Sequence, residues 1–342
     1  MSRSLVTIDL AAIRANAARL REAAGTAELW AVVKADAYGH GALDVAPAAL
    51  AGGATALCVA TVGEALALRP AVPGMRLIVL GPPLSDGEVA QAREARLELC
   101  LSAGPLPEGI PVHLKLDTGM GRWGVSELVA AGREIVGCMT HLATADTDQA
   151  FARAQLARFR RAAATLGDDV ALHAANSAAT LALPEARLDA VRCGIALYGI
   201  DPFGHDASAQ GLRPALRWES EVALVKRLAP GEGTGYGRRF VAERETWLGI
   251  VPVGYADGFP RALTGTEVLV AGARCPVVGT VSMDAVAVLL PGPVERSAPV
   301  TLVGGGVTLE AHAAAAGTIA YELVAGIRSR APRAERLVIN TP

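Results

Sequence analysis

Between Leu29 and Val191 short apolar runs recur, separated by polar, glycine-bounded or helix-like stretches. They span Leu29 to Val33, Ala56 to Ala60, Leu77 to Leu80, Leu97 to Leu101, Val112 to Leu116, Ile135 to Met139, Val170 to Leu172 and Leu188 to Val191. Runs this short and this apolar suit strands buried on both faces. Helix-like segments fall between several of them at Gly63 to Leu68, Asp86 to Ala95 and Asp148 to Leu166. An Ala/Arg-rich helix from Leu10 to Glu22, capped by Asp9, precedes the first. Strands alternating with helices in eight units predict an α/β chain built on a (β/α)8 barrel of the TIM type.

The rhythm breaks into glycine, proline and polar residues between Gly199 and Gly211, which places a domain junction there. Residues 1–211 are then the barrel and 212–342 a second domain. Its runs lie at Trp218 to Leu228, Thr246 to Val253, Glu267 to Val270, Pro276 to Thr280, Ala285 to Leu290 and Val300 to Val303. With Pro and Gly between them, they predict a mostly antiparallel β domain. Two helices close it, near Thr308 to Ala316 and, capped by Thr318, near Ile319 to Gly326.

A formal charge of -2 argues against a nucleic-acid or anionic-membrane surface. No apolar run approaches the ~20 residues of a membrane span, and the N-terminus lacks a signal-peptide apolar core, so the expected location is the cytoplasm. The five cysteines (Cys58, Cys100, Cys138, Cys193, Cys275) are scattered, without paired metal-ligand spacing. They read as buried thiols, and no metal site is expected.

Lysine usage singles out one position. Only three of the 32 Lys and Arg residues are lysines (Lys34, Lys115, Lys226), so the chain ordinarily uses arginine as its surface cation. Arginine stays protonated, whereas lysine can lose its proton and attack a carbonyl. Lys34 ends the first barrel strand, at the carboxyl end where the loops of such barrels carry chemistry. Other polar residues cluster at later strand ends: Lys115 to Gly124 with Arg122, Thr140 to Asp146 with His141, His173 to Ser177 with Asn176, and Arg192 to Gly199. A phosphate site formed after strands seven and eight recurs in this barrel class, and Ser177 with the amides of Gly194 and Ile195 would supply its donors.

Val32-Val33-Lys34-Ala35-Asp36-Ala37-Tyr38-Gly39-His40-Gly41 resembles the pyridoxal-phosphate signature of the alanine racemase family. The strand-end segments resemble their counterparts in the same order. So do Gly235-Tyr236-Gly237, Val253 to Gly258, Val281 to Asp284 and Thr318 to Glu322, for coverage from about Ile8 to Arg333. The resemblance implies a pyridoxal 5'-phosphate enzyme that interconverts L- and D-alanine, as a head-to-tail homodimer with shared active sites. Lys34 would hold the cofactor as a Schiff base and act as one base, and Tyr236 of the second copy as the other. Arg122 and the Met283 amide would meet the substrate carboxylate. Tyr38, Asn176, Ser177, Gly194, Ile195 and Tyr321 would lie at the cofactor and its phosphate, with His141 at the ring. Tyr255 and Arg261 would line the entrance, Asp284 would position the Met283 loop, and Lys115 matches a lysine that is carbamylated in some relatives.

Arg192 matches the partner of the pyridine nitrogen. Arginine donates a hydrogen bond without giving up its proton, so that nitrogen stays unprotonated and return of the proton to Cα is favoured over transamination. Tyrosine, with an ordinary pKa near ~10, needs a neighbouring cation to act as a base, either Arg192 or a charged His141. In a bacterium the product would feed peptidoglycan. Ser282 stands where many relatives have cysteine, and Glu335 where they often have an aromatic. Competing readings are a racemase of broader specificity acting on serine or basic amino acids, a pyridoxal-phosphate carrier, which would lack the β domain, and a cofactor-free Schiff-base lyase.

Overall fold

The structure, a computed structural model, describes residues 3–102, 104–128 and 132–340. It falls into two compact units: one of residues 11–203 and 207–213, the other of residues 1–10, 204–206 and 214–342.

The chain begins with strand β1 (Leu5–Asp9), which passes straight into a helix, Leu10–Ala24. The barrel unit continues with strands β2 (Glu28–Val32), β3 (Ala56–Val59), β4 (Leu77–Val79), β5 (Glu98–Leu101), β6 (Val112–Lys115), β7 (Ile135–Met139), β8 (Ala171–His173) and β9 (Ala190–Cys193). All eight pair in parallel in sequence order, and β9 closes on β2. Each expected barrel strand is present, shifted by two residues at most. The apolar runs are continuous because both faces are covered: every residue of β3, β4, β6 and β9 is buried. The helices Val62–Leu68, Asp86–Glu94 and Gln149–Ala163 occupy the segments expected of them. Their caps are legible in sequence: Thr61, Ser85 and Asp148 each accept the amide three residues on.

The second unit is organised on a nine-stranded sheet. Its strands are β1 with β10 (Leu216–Glu221), β11 (Leu224–Leu228), β14 (Thr246–Val251), β15 (Glu267–Val270), β16 (Ala273–Val278), β17 (Val286–Leu290), β18 (Pro299–Val303) and β19 (Glu335–Ile339). They run in the order β11-β14-β17-β16-β15-β18-β10-β1-β19, and a ribbon of β12 (Gly233–Thr234) with β13 (Phe240–Val241) falls between β11 and β14 in the sequence. Every pairing is antiparallel except β1 with β19.

Three expectations change. Residues 1–10 belong to the sheet unit, because Val6 and Ile8 turn inward to a wholly buried position while β1 pairs with β10 and β19; the division at 211/212 missed this. The run Trp218 to Leu228 is two strands that take separate places in the sheet. Thr308 caps helix Leu309–Ala316 as expected, but helix Ala320–Gly326 starts after Ile319, and the Thr318 hydroxyl is spent on the Glu322 carboxylate rather than on a backbone amide.

Candidate active site

Lys34 lies just past β2, whose last bond into the barrel is the Val33 amide to the Cys58 carbonyl at 2.8 Å. Burial holds the Lys34 ammonium below the ordinary lysine range, and Arg122 lowers it further against the opposing pull of Glu64. The next four residues, Ala35, Asp36, Ala37 and Tyr38, all have φ between +50° and +55°. L-residues pay about 1–2 kcal/mol each for this left-handed conformation, so the surroundings must hold it. Glu64 accepts the Ala35 amide at 2.7 Å, the Asp36 carboxylate accepts the Ala42 amide at 2.8 Å, and Gly39 and Gly41 close the turn on the Ala35 and Asp36 carbonyls. The turn carries Tyr38 inward against Tyr198, ring centroids 4.9 Å apart. A Cβ on Gly194 would come within 2.5 Å of the Tyr38 hydroxyl, so only glycine admits the phenol there.

The loops after β8 and β9 meet at Ser177, whose oxygen accepts the amides of Gly194 at 3.0 Å and Ala196 at 3.4 Å. Its own proton remains to be donated. Asn176 is the cap of helix Ser177–Ala182, accepting from Ala179 at 3.0 Å. Ile195 opens the next turn, buried.

Arg192 is 3% exposed and pairs with no carboxylate among the described residues. Nη1 donates to Nδ1 and the carbonyl of His173 at 2.8 and 2.9 Å, and Nη2 to the carbonyls of Thr140 and Ala174 at 2.8 and 3.3 Å. Among the described residues Nε–H has no acceptor. His141 Nδ1 lies 3.5 Å from Nη2. Burial, then Arg192, Arg122, Lys115 and Lys34, push His141 down to about 3, which favours a neutral imidazole over the charged His141 considered from sequence. Lys115 is lowered to about 8, chiefly by burial, with its Nζ 3.4 Å from the Leu80 carbonyl.

Groups to which the sequence reading gave no role hold these loops. The Asp117 carboxylate gathers the amides of Gly119, Met120 and Gly121 within 3.1 Å and shapes the turn that carries Arg122. Gln155, wholly buried, binds the Ala143 amide at 2.8 Å and the His141 carbonyl at 3.3 Å. The one available signal was an uncharged polar residue on the apolar face of a predicted helix. Glu64 was findable as the third residue after a capping threonine, Thr61.

The remaining candidates stand in the sheet unit. Tyr236 is 74% exposed in the turn between β12 and β13, its carbonyl held by the Thr280 hydroxyl at 2.9 Å. Tyr255 and Met283 are neighbours, joined by Tyr255 N to Ser282 O at 3.1 Å and Ala256 N to Met283 O at 3.0 Å, and both are exposed. Arg333 clamps the two segments, donating to Asp257 at 2.7 and 2.8 Å and to Asp284 at 2.9 Å. Arg261 opens a short 3-10 turn nearby in sequence, and Tyr321 lies in helix Ala320–Gly326. The barrel cluster sets Arg122, Arg192, Lys115 and a neutral imidazole around a lysine of lowered pKa, which suits an anionic ligand carrying a carbonyl.

Models of two domain families match in order: alanine racemase, N-terminal domain, over residues 8–202, and alanine racemase, C-terminal domain, over residues 215–335. The alanine racemase of Symbiobacterium thermophilum is 41% identical, with 95% of each chain covered, and that of Streptomyces coelicolor 44%, with 97% of this chain and 95% of the relative. Among solved structures, the alanine racemase from E. faecalis superposes with a TM-score of 0.90 at 36% identity, over 99% of this chain and 98% of that one. Likeness of this extent reaches through both units and all the segments that carry the candidates, and the chain belongs to the alanine racemase family.

Proposed function

We infer that this chain is an isomerase that interconverts L- and D-alanine with pyridoxal 5'-phosphate. The observation that carries the reading is Lys34, lowered in pKa at a barrel strand's end and sharing its cluster with Arg192, whose Nε–H has no acceptor among the described residues.

The residues present fit that cofactor. The Ser177 hydroxyl, the Gly194 and Ile195 turn and buried Tyr38 form a cradle that a side chain at 194 would fill. Ser177, Gly194, Ile195, Tyr38 and Tyr321 would hold the phosphate, His141 would lie at the ring, and Arg192 would donate to its nitrogen. When bound, the cofactor supplies an electron sink that acidifies the Cα proton of an amino acid. Arg192 keeps its own proton, which limits that sink and favours prompt return of the proton to Cα. Racemisation needs a base on each face of Cα. Lys34 is one, helped by the burial that favours its neutral form. Tyr236 of a second copy is the other, with Arg192 as the cation left to favour its phenolate. Arg122 and the Met283 amide would orient the substrate carboxylate. The exposed Tyr236, Tyr255 and Met283 are the surface that a homodimer would use. No helix among the described residues is long and apolar enough to cross a membrane, and we place the activity in the cytoplasm.

Proton NMR in D2O with added pyridoxal phosphate, following Cα exchange and chirality for L-alanine, L-serine and L-lysine, tests the reading. Exchange with loss of optical purity for alanine alone is expected. Equal rates on serine or lysine would mean a broader racemase, and cofactor binding without exchange would mean a carrier. Tyr236→Phe should lower exchange by about 10²–10⁴-fold from one enantiomer and less from the other; equal losses would overturn the two-base assignment.

A further inference from the structure

A hydrogen-bonded chain runs inside the barrel from the carboxyl end of its strands to the amino end. Arg192 Nη1 meets His173 Nδ1 at 2.8 Å, His173 Nε2 meets His113 Nδ1 at 2.9 Å, and His113 Nε2 meets Glu98 Oε2 at 2.8 Å. Arg76 closes the chain with two bonds to Glu98 at 2.8 and 3.0 Å. Both histidines are wholly buried, and Trp30 packs edge-on against them, its centroid 4.5 Å from that of His173 and 5.6 Å from that of His113. Gly137 in β7 makes the room: a Cβ there would lie 2.0 Å from His113 Nδ1.

The direction of every bond is set by donor chemistry. A guanidinium only donates, so His173 Nδ1 must accept and its proton sits on Nε2. That N–H makes His113 Nδ1 an acceptor in turn, and leaves His113 Nε2–H to donate to the carboxylate. Arg192 therefore communicates with one carboxylate two imidazoles away, and reversing either tautomer would set N–H against N–H.

We propose that Glu98 is a positioning residue for racemisation: by accepting from His113 it fixes the tautomers of His113 and His173, and so keeps a lone pair facing Arg192 and the guanidinium oriented with Nε–H toward the cofactor. The inference rests on the reading that Arg192 meets the cofactor. A buried carboxylate that fixes a histidine tautomer is a known catalytic device; here its reach extends through a second ring. Glu98 Oε2 accepts from both His113 and Arg76, and Oε1 from the second Arg76 nitrogen, whereas glutamine has one acceptor oxygen and an NH2. Glu98→Gln therefore sets its NH2 either against the Arg76 Nε–H or against His113, where it favours the other tautomer.

The test is a two-bond ¹H–¹⁵N spectrum of histidine-labelled protein without cofactor, then steady-state racemisation with it. Wild type should show Nε2–H at both His113 and His173. In Glu98→Gln a second tautomer should appear at both rings, and kcat should fall about tenfold with KM for alanine within about twofold. His113→Leu cuts the chain while leaving Glu98 on Arg76, so it carries the test if the first variant does not fold. Its kcat should fall as far, and adding Glu98→Gln to it should cost nothing more. An Nδ1–H proton on either wild-type ring, or variants that racemise at the wild-type rate, would overturn the proposal. A wild-type protein that binds no pyridoxal phosphate would instead refute the functional reading, and the cofactor-free spectra would still decide the tautomer chain.

Discussion

His141 shows how a residue's environment sets its role. Burial comes first, and the cations Arg192, Arg122, Lys115 and Lys34 add to it, so the imidazole stays neutral down to about pH 3. An unfolded histidine binds its proton near pH ~6.5. The unfolded state thus holds more protons below that value, and the stability due to a neutral His141 is present above pH ~6.5 and lost as pH falls toward about 3. His173, lowered by burial and then by Arg192, adds to the same slope. The urea midpoint of the wild-type chain should fall between pH 7 and pH 5, and that of His141→Gln should fall less. Parallel slopes in the two proteins would show that His141 titrates normally. Glu98 acts at lower pH: burial alone would raise it, yet bonds from His113 and Arg76 outweigh burial and hold it at about 2. Its contribution is therefore present above the ordinary 4.5 and disappears on the way down to about 2.

Among the elements, the turn after Lys34 departs furthest from ordinary backbone. Four successive left-handed residues without glycine are held by Glu64, by the Asp36 carboxylate and by the bonds that Gly39 and Gly41 make. Ala35 is exposed at φ +52°, where glycine is free of the Cβ clash. Ala35→Gly should stabilise the protein by up to about 1 kcal/mol, after allowance for glycine's greater freedom in the unfolded chain. Denaturant titration measures it, and a loss of stability would mean that the turn is not strained there. The same turn explains why Lys34 and Tyr38, four residues apart, both belong to one cluster.

For the whole molecule, the proposed homodimer takes Lys34 and Tyr236 of one active site from different copies. Lys34→Ala and Tyr236→Phe chains, each inactive alone, should recover about a quarter of wild-type activity when unfolded and refolded together in equal amounts. Half of the dimers are then mixed, and each mixed dimer has one complete site of two. If both residues came from the same copy, mixing would restore nothing.

Periodicity located the eight barrel strands and the antiparallel character of the second domain, and the resemblance to the alanine racemase family supplied the candidates from Lys34 to Tyr321. Strands buried on both faces are continuous apolar runs, and a residue at a strand's end is displayed by the register of its own strand. What tertiary structure decided was every property that depends on chain-distant neighbours. β1 joins the sheet because residues 216–219 and 335–339 are there to pair with it, and five residues of simple alternation carry no sign of that. The left-handed turn after Lys34 is imposed by Glu64 from another element, against local preference. His141 is neutral because residues at three other strand ends surround it, and Arg192 is tied to Glu98 through two rings whose bonding no motif announces. A one-dimensional pattern records which face a residue presents; charge state, tautomer and strain arise from what is folded against that face.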